Sequence, residues 1–265
     1  MTEVKRKVTL LAHTQLTEKF KEQFDRYPMG EYENELDEMG VTDAKALALT
    51  AIRTCYSAGK PSEILLKEGK RYFGKKATDG GKGTDADRLI RMIHSSGHVS
   101  TMEHITFNFA VEGVSRALLA QLTRHRVGFS FSVQSQRYVK FGSNDRSCGF
   151  DYIMPDTVTD EKSYTDDFDL YNTAPDLFRS AMEFAQFYYD ELRKCGVPAE
   201  DARAVLPQAA TCNITLSTNL RALLDFYSKR KEGRGAQAEI AGLAEDLKNA
   251  VIEVEPWLAD LFEVV

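Results

Sequence analysis

The sequence predicts a mixed fold, α/β or α+β, with short strands between long helices, and only weakly hints at a dinucleotide-binding doubly wound domain. Three observations carry this reading. Short segments with a period of two alternate with long helical segments, which excludes both a helical bundle and a β-sandwich. Ile105, Phe107, Phe109 and Val111 alternate with Thr106, Asn108, Ala110 and Glu112, the clearest strand in the chain. The one G-x-G, Gly81-Lys82-Gly83, lies in a polar loop with no strand before it, whereas a dinucleotide fingerprint needs strand, turn and helix.

The elements follow in order. Residues 7–12 (KVTLLA) form a first strand, and the acidic stretch from Glu31 to Glu38 forms a solvated face or loop. Thr42-Asp43 caps a helix running to about Ser57. Residues 74–83 form a polar Gly/Lys loop; it is not a phosphate loop, because Lys82 is followed by Gly83 instead of Ser or Thr. Thr84 with Asp87 makes a capping-box start for helix 85–96, which Gly97 ends. Ser115 caps a helix to about Arg124. Residues 130–141 are loop and then strand. A long helix lies within 164–194, and Pro198 opens a short helix holding Arg203 and stopped by Pro207. Residues 212–218 alternate as a strand, Asn219 caps helix 220–230, and a last helix spans about 237–253.

The chain has 265 residues, 43% of them hydrophobic, enough for a substantial core and too many for an intrinsically disordered protein. Its length fits one large domain or two small ones. The net charge of −6 argues against a nucleic-acid binder, and no apolar run approaches a membrane span. The N-terminus is too polar for a secretion signal. Cys55, Cys148, Cys195 and Cys212 form no C-x-x-C pair, as expected of reduced thiols in a cytoplasmic protein.

The densest chemistry lies in Gln121, Arg124, His125 and Arg126, then Ser130, Ser132, Gln134, Ser135, Gln136, Arg137 and Tyr138. Arginine forks donate two parallel hydrogen bonds to a planar anion or a phosphate. Gln121 and Arg124, three apart, would share a helical face. The alternative is a helix end whose cations complement the dipole. His98, His104 and His125 could ligate zinc, but the spacing matches no metal motif, so no metal site is expected. A third group is Arg203, Asn219, Arg221, Arg230, Arg234 and Gln237. Arg221 and Arg230, nine apart, fall on opposite faces of one helix and would serve different ligands or surfaces.

These motifs resemble the flavin-dependent thymidylate synthases. The match comprises Ala51-x-Arg53-x-Cys55, Gly97-His98, Glu103-His104-Ile-Thr-Phe107, Gln121-x-x-Arg124-His125-Arg126 and Ser135-Gln136-Arg137-Tyr138. It continues with Ala202-Arg203-x-x-Leu206-Pro207, Asn219-x-Arg221, Arg230 and Ala236-Gln237-x-Glu239-Ile240, so it covers about 44–245. There are three departures. Residues 127–134 hold one residue more than the family's usual spacing, which leaves open which of 127–130 would face a flavin. Arg234 stands near a position that is often His, with one extra residue before Gln237. Asp225 stands where some members have Asn.

The resemblance implies reductive methylation of dUMP to dTMP, with 5,10-methylenetetrahydrofolate as carbon donor, NADPH as reductant and FAD as cofactor. It implies dUMP binding by Gln121, Arg124, Ser135, Gln136, Arg137, Arg203 and Arg230. FAD would be held by His98, Ser100, Glu103, Arg124, His125, Arg126, Asn219, Arg221 and Arg234. Arg203, Arg137, Ser135 and His98 are the expected catalytic set, with Arg203 polarising the uracil and no cysteine nucleophile. It also implies a mixed α/β (α+β) fold with a central sheet flanked by long helices, unlike the dinucleotide-binding fold, and a homotetramer with sites shared among subunits. Two rival classes are a zinc hydrolase using the three histidines and an RNA-binding module using Arg124–Arg137.

Overall fold

The computed structural model describes residues 1–25, 39–165, 167 and 171–265, so the acidic stretch at 31–38 and part of 160–169 lie outside the described residues. The strands are β1 (Lys7–His13), β2 (Thr106–Ser115), β3 (Phe129–Val133), β4 (Ser163–Thr165), β5 (Tyr171–Thr173) and β6 (Thr211–Asn219). The helices are α1 (Glu18–Asp25), α2 (Asp43–Tyr56), α3 (Ile64–Phe73), α4 (Asp85–Ser95), α5 (Arg116–Leu122), α6 (Ala174–Lys194), α7 (Ala199–Ala202), α8 (Leu220–Arg230), α9 (Ala238–Val254) and α10 (Ala259–Glu263). Four strands form an antiparallel sheet in the order β1-β2-β6-β3, and β4 and β5 pair as a separate hairpin. The mixed class and central sheet are as expected.

The alternation read in the sequence decides the two faces of the sheet. Phe107, Phe109 and Val111 of β2 and Ile214 and Leu216 of β6 are buried in the main core with α2, α4, α5, α8 and α9. The opposite face carries Thr106, Asn108, Ser217 and Ser130, which stay in reach of solvent. Beyond Val111 the register of β2 shifts against β6, and Gly113 takes φ +63° with its Cα packed against the Lys5 carbonyl, a place where a Cβ would collide.

A second core cluster, Phe141, Phe150, Tyr152, Met182, Tyr189, Ala202 and Ala210, lies under α6. Buried Gln186 donates to the Phe141 carbonyl at 2.9 Å and accepts from Phe150 N–H at 3.0 Å, which fixes the 141–150 loop on the helix. The N-terminus ties this loop to the sheet: Val4 N–H donates to the Tyr152 carbonyl, and Tyr152 N–H to the Thr2 carbonyl, each at 3.0 Å.

The caps at Thr42, Ser115 and Asn219 form as expected, each side chain accepting a backbone N–H three residues on. Several boundaries differ. The expected loop-then-strand at 130–141 is a strand first and a loop after, because Phe129, Phe131 and Val133 pack on the main core while Ser130 and Ser132 face out. The helix expected to reach Arg124 ends at Leu122, so Arg124 lies beyond it and does not share a helical face with Gln121. Arg203 is not inside a helix; it ends α7 and begins a 3-10 turn, Arg203–Val205. Helices α1, α3 and α10 occupy segments where the sequence pattern assigns no element. In α3, Ile64, Leu65, Tyr72 and Phe73 are buried, an apolar face interrupted by Lys67, Lys70 and Arg71.

Lys45 and Asp87 join α2 to α4 by a buried ion pair of 2.8 Å, and Asp87 also accepts the Thr84 N–H and hydroxyl. Replacing Lys45 by Met leaves a buried carboxylate without its cation and should cost about 3–5 kcal/mol. Adding Asp87→Asn should restore part of that loss. Urea denaturation of the two variants and the wild type checks both outcomes.

Candidate functional site

Sequence-predicted residues gather at the two ends of β3. At its first end the sheet opens into a cleft of about 480 Å³ lined by Glu103, Thr106, Asn108, Gly128, Phe129, Ser130, Ser217, Thr218 and Asn219. Strand register builds it: Asn108 and Ser130 flank Ser217 across two strand pairs, and Ser217 donates to Asn108 Oδ1 at 2.5 Å. Gly128, at φ +74°, brings the chain against Ala222 and Asn219, where any Cβ would clash. This settles the local path of the lengthened 127–134 segment: Val127 is 88% exposed, and the strand begins at Phe129.

Asn219 caps α8, and Arg221 follows in its first turn. A cation there opposes the helix dipole. It is balanced by Glu103, whose carboxylate accepts from Arg221 at 2.5 Å. Glu103 belongs to the 3-10 turn Val99–His104, which His98 precedes and which also holds exposed Ser100. His98 Nδ1 and the Tyr56 hydroxyl are 2.8 Å apart. His98, His104 and His125 therefore do not converge, and among the described residues no group of three or more His, Cys, Asp or Glu could hold a metal.

His125 stands behind the same end of the sheet. Its ring meets Phe226 edge-on at 4.9 Å and Phe129 at 6.2 Å. Arg230 Nε donates to His125 Nε2 at 3.1 Å. Burial, and then the positive charge of Arg230, hold the His125 pKa below the ordinary 6.5. The neutral ring accepts through Nε2, so its proton resides on Nδ1. Arg124 and Arg126 are exposed on either side.

At the other end, Val133 pairs with Ile214, and Gln134 N–H donates to the Asn213 carbonyl at 2.8 Å. Ser135 Oγ then accepts the Arg137 N–H at 3.2 Å. Arg137 Nε donates to the Glu200 carboxylate at 2.5 Å, and Arg203 Nε donates to the Glu200 carbonyl at 2.9 Å. Arg116 joins this group. Its Nη2 donates to the Gln134 carbonyl at 2.8 Å, while its buried Nε finds no partner among the described residues. Burial, and the like charge of Arg203, pull its pKa down, though a guanidinium stays charged.

One chain thus brings Ser135, Arg137 and Arg203 together, with half-buried Gln136 alongside in sequence. It does not bring Arg230 to them: Arg230 is committed to His125 at the far end. Phe129 to Val133 spans four residue steps, about 14 Å. Gln121 bonds Gln237 at 2.6 Å, and Arg234 is exposed between Gly233 and Gly235. Arg221 and Arg230 have separate partners, as their opposite helical faces imply. The sequence reading passed over Arg116, Glu200 and Tyr56. Arg116 had a signal, a cation in the first turn of a Ser-capped helix, where the dipole disfavours it.

The sequence profile of the family described as "Thymidylate synthase complementing protein" matches residues 36–257. A flavin-dependent thymidylate synthase of Geobacter sulfurreducens is 36% identical over 216 residues, covering 82% of this chain and 81% of its own. The Nitratidesulfovibrio vulgaris enzyme of the same name is 37% identical over 215 residues, covering 80% of each chain. Among solved structures, the UMP/dUMP methylase PolB of Streptomyces cacaoi, bound with 5-Br dUMP, superposes with a TM-score of 0.65 at 21% identity, covering 99% of this chain and 96% of that one. Thymidylate Synthase X of Helicobacter pylori, with FAD and dUMP, gives 0.58 at 21% identity, covering 97% and 99%.

The depressed His125 pKa has a consequence for stability. As pH falls through about 6.5, the unfolded chain takes up this proton before the folded one does, so stability drops below that pH and is unaffected above it. His94, also held low by burial, acts in the same direction. Denaturation midpoints measured between about pH 5 and 7.5 should therefore fall on the acid side, and His125→Gln should flatten the slope without abolishing it.

Proposed function

The chain belongs to the thymidylate synthase complementing protein family, and on that premise we propose that it is a flavin-dependent thymidylate synthase. It converts dUMP, 5,10-methylenetetrahydrofolate and NADPH into dTMP, tetrahydrofolate and NADP⁺, with FAD as cofactor. The observation that carries this reading is the cluster of Arg116, Arg137 and Arg203 beside Ser135, a set suited to a nucleoside monophosphate, inside a chain matched to that family over most of its length.

The cleft at the first end of β3 suits part of a flavin dinucleotide. Its lining offers Asn219 and Ser130 as donors, and Arg221, paired with the lining residue Glu103, stands at a helix N-terminus that welcomes a phosphate in place of that carboxylate. At about 480 Å³ it is within the range of small-ligand sites. We assign Glu103, Asn219, Arg221, His98, Ser100, His125 and Arg126 to FAD, with Arg124 and Arg234 on the rim. When bound, FAD supplies the hydride. Arg203 binds the uracil and stabilises negative charge developing on it. Arg137, its backbone fixed by Ser135, binds the phosphate with Arg116 beneath, and Gln136 faces the base. His98 faces the folate and nicotinamide side.

The separation of the two ends makes the assembly part of the proposal. A dUMP site using Gln121, Arg124 and Arg230 as well as Arg137 and Arg203 needs residues from two chains, so we infer an oligomer, a homotetramer by family resemblance. Helix α6 offers a face for it: Phe184, Phe187 and Tyr188 are 60%, 54% and 55% exposed. Antiparallel pairing with a second α6 would set Asp176 of one helix near Lys194 of the other. The whole chain acts as one domain, since its N-terminal residues bridge both core clusters, and its free thiols suit a reducing cytoplasm.

Three outcomes are expected. The purified protein should show an oxidised-flavin absorption spectrum that bleaches under NADPH; bound zinc without flavin would overturn the reading. Arg203→Ala should keep its flavin and lose dUMP affinity by roughly 10- to 150-fold, whereas Arg126→Ala should lose flavin first; absorbance and calorimetry on both variants test the division. Light scattering should give a mass near four times 29.8 kDa, and Phe184→Glu should lower it.

A further inference from the structure

Glu200 lies between the two arginines assigned to dUMP. Its carboxylate accepts from Arg137 Nε at 2.5 Å, and its backbone carbonyl accepts from Arg203 Nε at 2.9 Å. The two contacts have different chemistry. The Arg203 contact uses main chain and survives any change of side chain. The Arg137 contact uses the side chain alone.

We propose that Glu200 is a positioning residue of the nucleotide site, whose carboxylate holds Arg137 while no nucleotide is bound and is displaced from it by the nucleotide phosphate. The inference rests on the reading of this cluster as the dUMP site. Arg116, Arg137 and Arg203 repel one another, so an arginine there without an anion would swing towards solvent. A carboxylate holds the guanidinium near its binding position. The pair is exposed, with 57% of the Arg137 side chain and 43% of the Glu200 side chain in solvent, which makes it weak and exchangeable. A buried pair would resist exchange, because breaking it would strand a charge. A phosphate dianion carries more charge than the carboxylate and fits the arginine fork equally well.

Exchange leaves a carboxylate beside a bound phosphate. Glu200 therefore lowers nucleotide affinity by two routes, competition for Arg137 and repulsion of the dianion, and it favours release of the nucleotide product. Both routes need the phosphate. A nucleoside without one should not sense Glu200.

The test uses the FAD-loaded protein, with flavin absorbance and circular dichroism confirming that each variant is folded and loaded. Calorimetry measures dUMP and deoxyuridine binding to wild type, Glu200→Gln, Arg137→Ala and the double variant. Glu200→Gln should tighten dUMP by about 2- to 5-fold, the reach of an exposed ion pair, and leave deoxyuridine unchanged. In turnover, KM for dUMP should fall while kcat does not rise. In the Arg137→Ala background, Glu200→Gln should retain less than half of its effect. Unchanged or weaker dUMP binding by Glu200→Gln, or equal tightening of deoxyuridine, would overturn the proposal while leaving the dUMP site itself standing. A wild-type protein that binds flavin and no dUMP would overturn both.

Discussion

Strand β6 is the constraint on which the functional geometry depends. It pairs with β2 on one side and β3 on the other, and its inward residues Cys212, Ile214, Leu216 and Thr218 are buried. Its last residue, Asn219, caps α8 and lines the cleft. Its first residues receive the chain from the turn that carries Arg203. A side-chain period of two permits no slip by one residue, because that would turn Leu216 outward and Ser217 into the core. The register that buries the apolar row therefore also sets Asn108, Ser217 and Ser130 side by side. The polar shelf and the hydrophobic core are two faces of one pairing decision.

Charge organises the two ends of β3 in the same manner. Each holds an arginine paired with one exposed carboxylate, Arg221 with Glu103 and Arg137 with Glu200. Exposed pairs of this kind contribute little to stability. Their value is in orientation, since each fixes the direction of a guanidinium at an exposed edge of the sheet. The pairs that hold the fold together are elsewhere and better buried: Lys45 with Asp87, and Arg53 with Glu68. The molecule separates its structural ion pairs from the exchangeable ones by burial.

The sequence was legible where one local rule acted without competition. Thr42, Ser115 and Asn219 caps, the alternation of β2 and β6 and the glycine stop after α4 all followed from short-range chemistry. It was illegible where tertiary packing overrode composition. Helix α3 carries Lys67, Lys70 and Arg71 among its apolar residues, and the pattern alone does not show which face the core takes. Strand β3 is five residues long and is followed at once by polar Gln134, Ser135 and Gln136, so its alternation is too short to stand out from a loop. The motif residues were visible as types, but their grouping was not. Arg230 lies with His125 because α8 packs beside the 125–129 segment, a contact between positions 105 residues apart. Glu200 gave no signal at all, since a single acid in a short helix looks like surface.

The cysteines bear on what kind of chemistry this scaffold can perform. A thiol nucleophile needs a lowered pKa and a neighbouring base. Cys212 is fully buried, and burial pushes its thiol up despite nearby Arg116. Cys55 donates to the Ala51 carbonyl of its own helix at 3.6 Å, the ordinary placement of a helical thiol. Cys195 ends α6, and Cys148, at φ +54°, gives its carbonyl to the N-terminal ammonium. Cys212, the thiol coupled to Arg116 of the cluster, is thus poorly placed to ionise. What the cluster does offer is fixed positive charge, two arginines at an exposed edge and a third half-buried behind them, its Nε–H without a partner among the described residues. Fixed charge of that kind suits a bound anion, and a guanidinium does not itself attack. The arrangement favours electrostatic action on a bound anion over attack by a thiol.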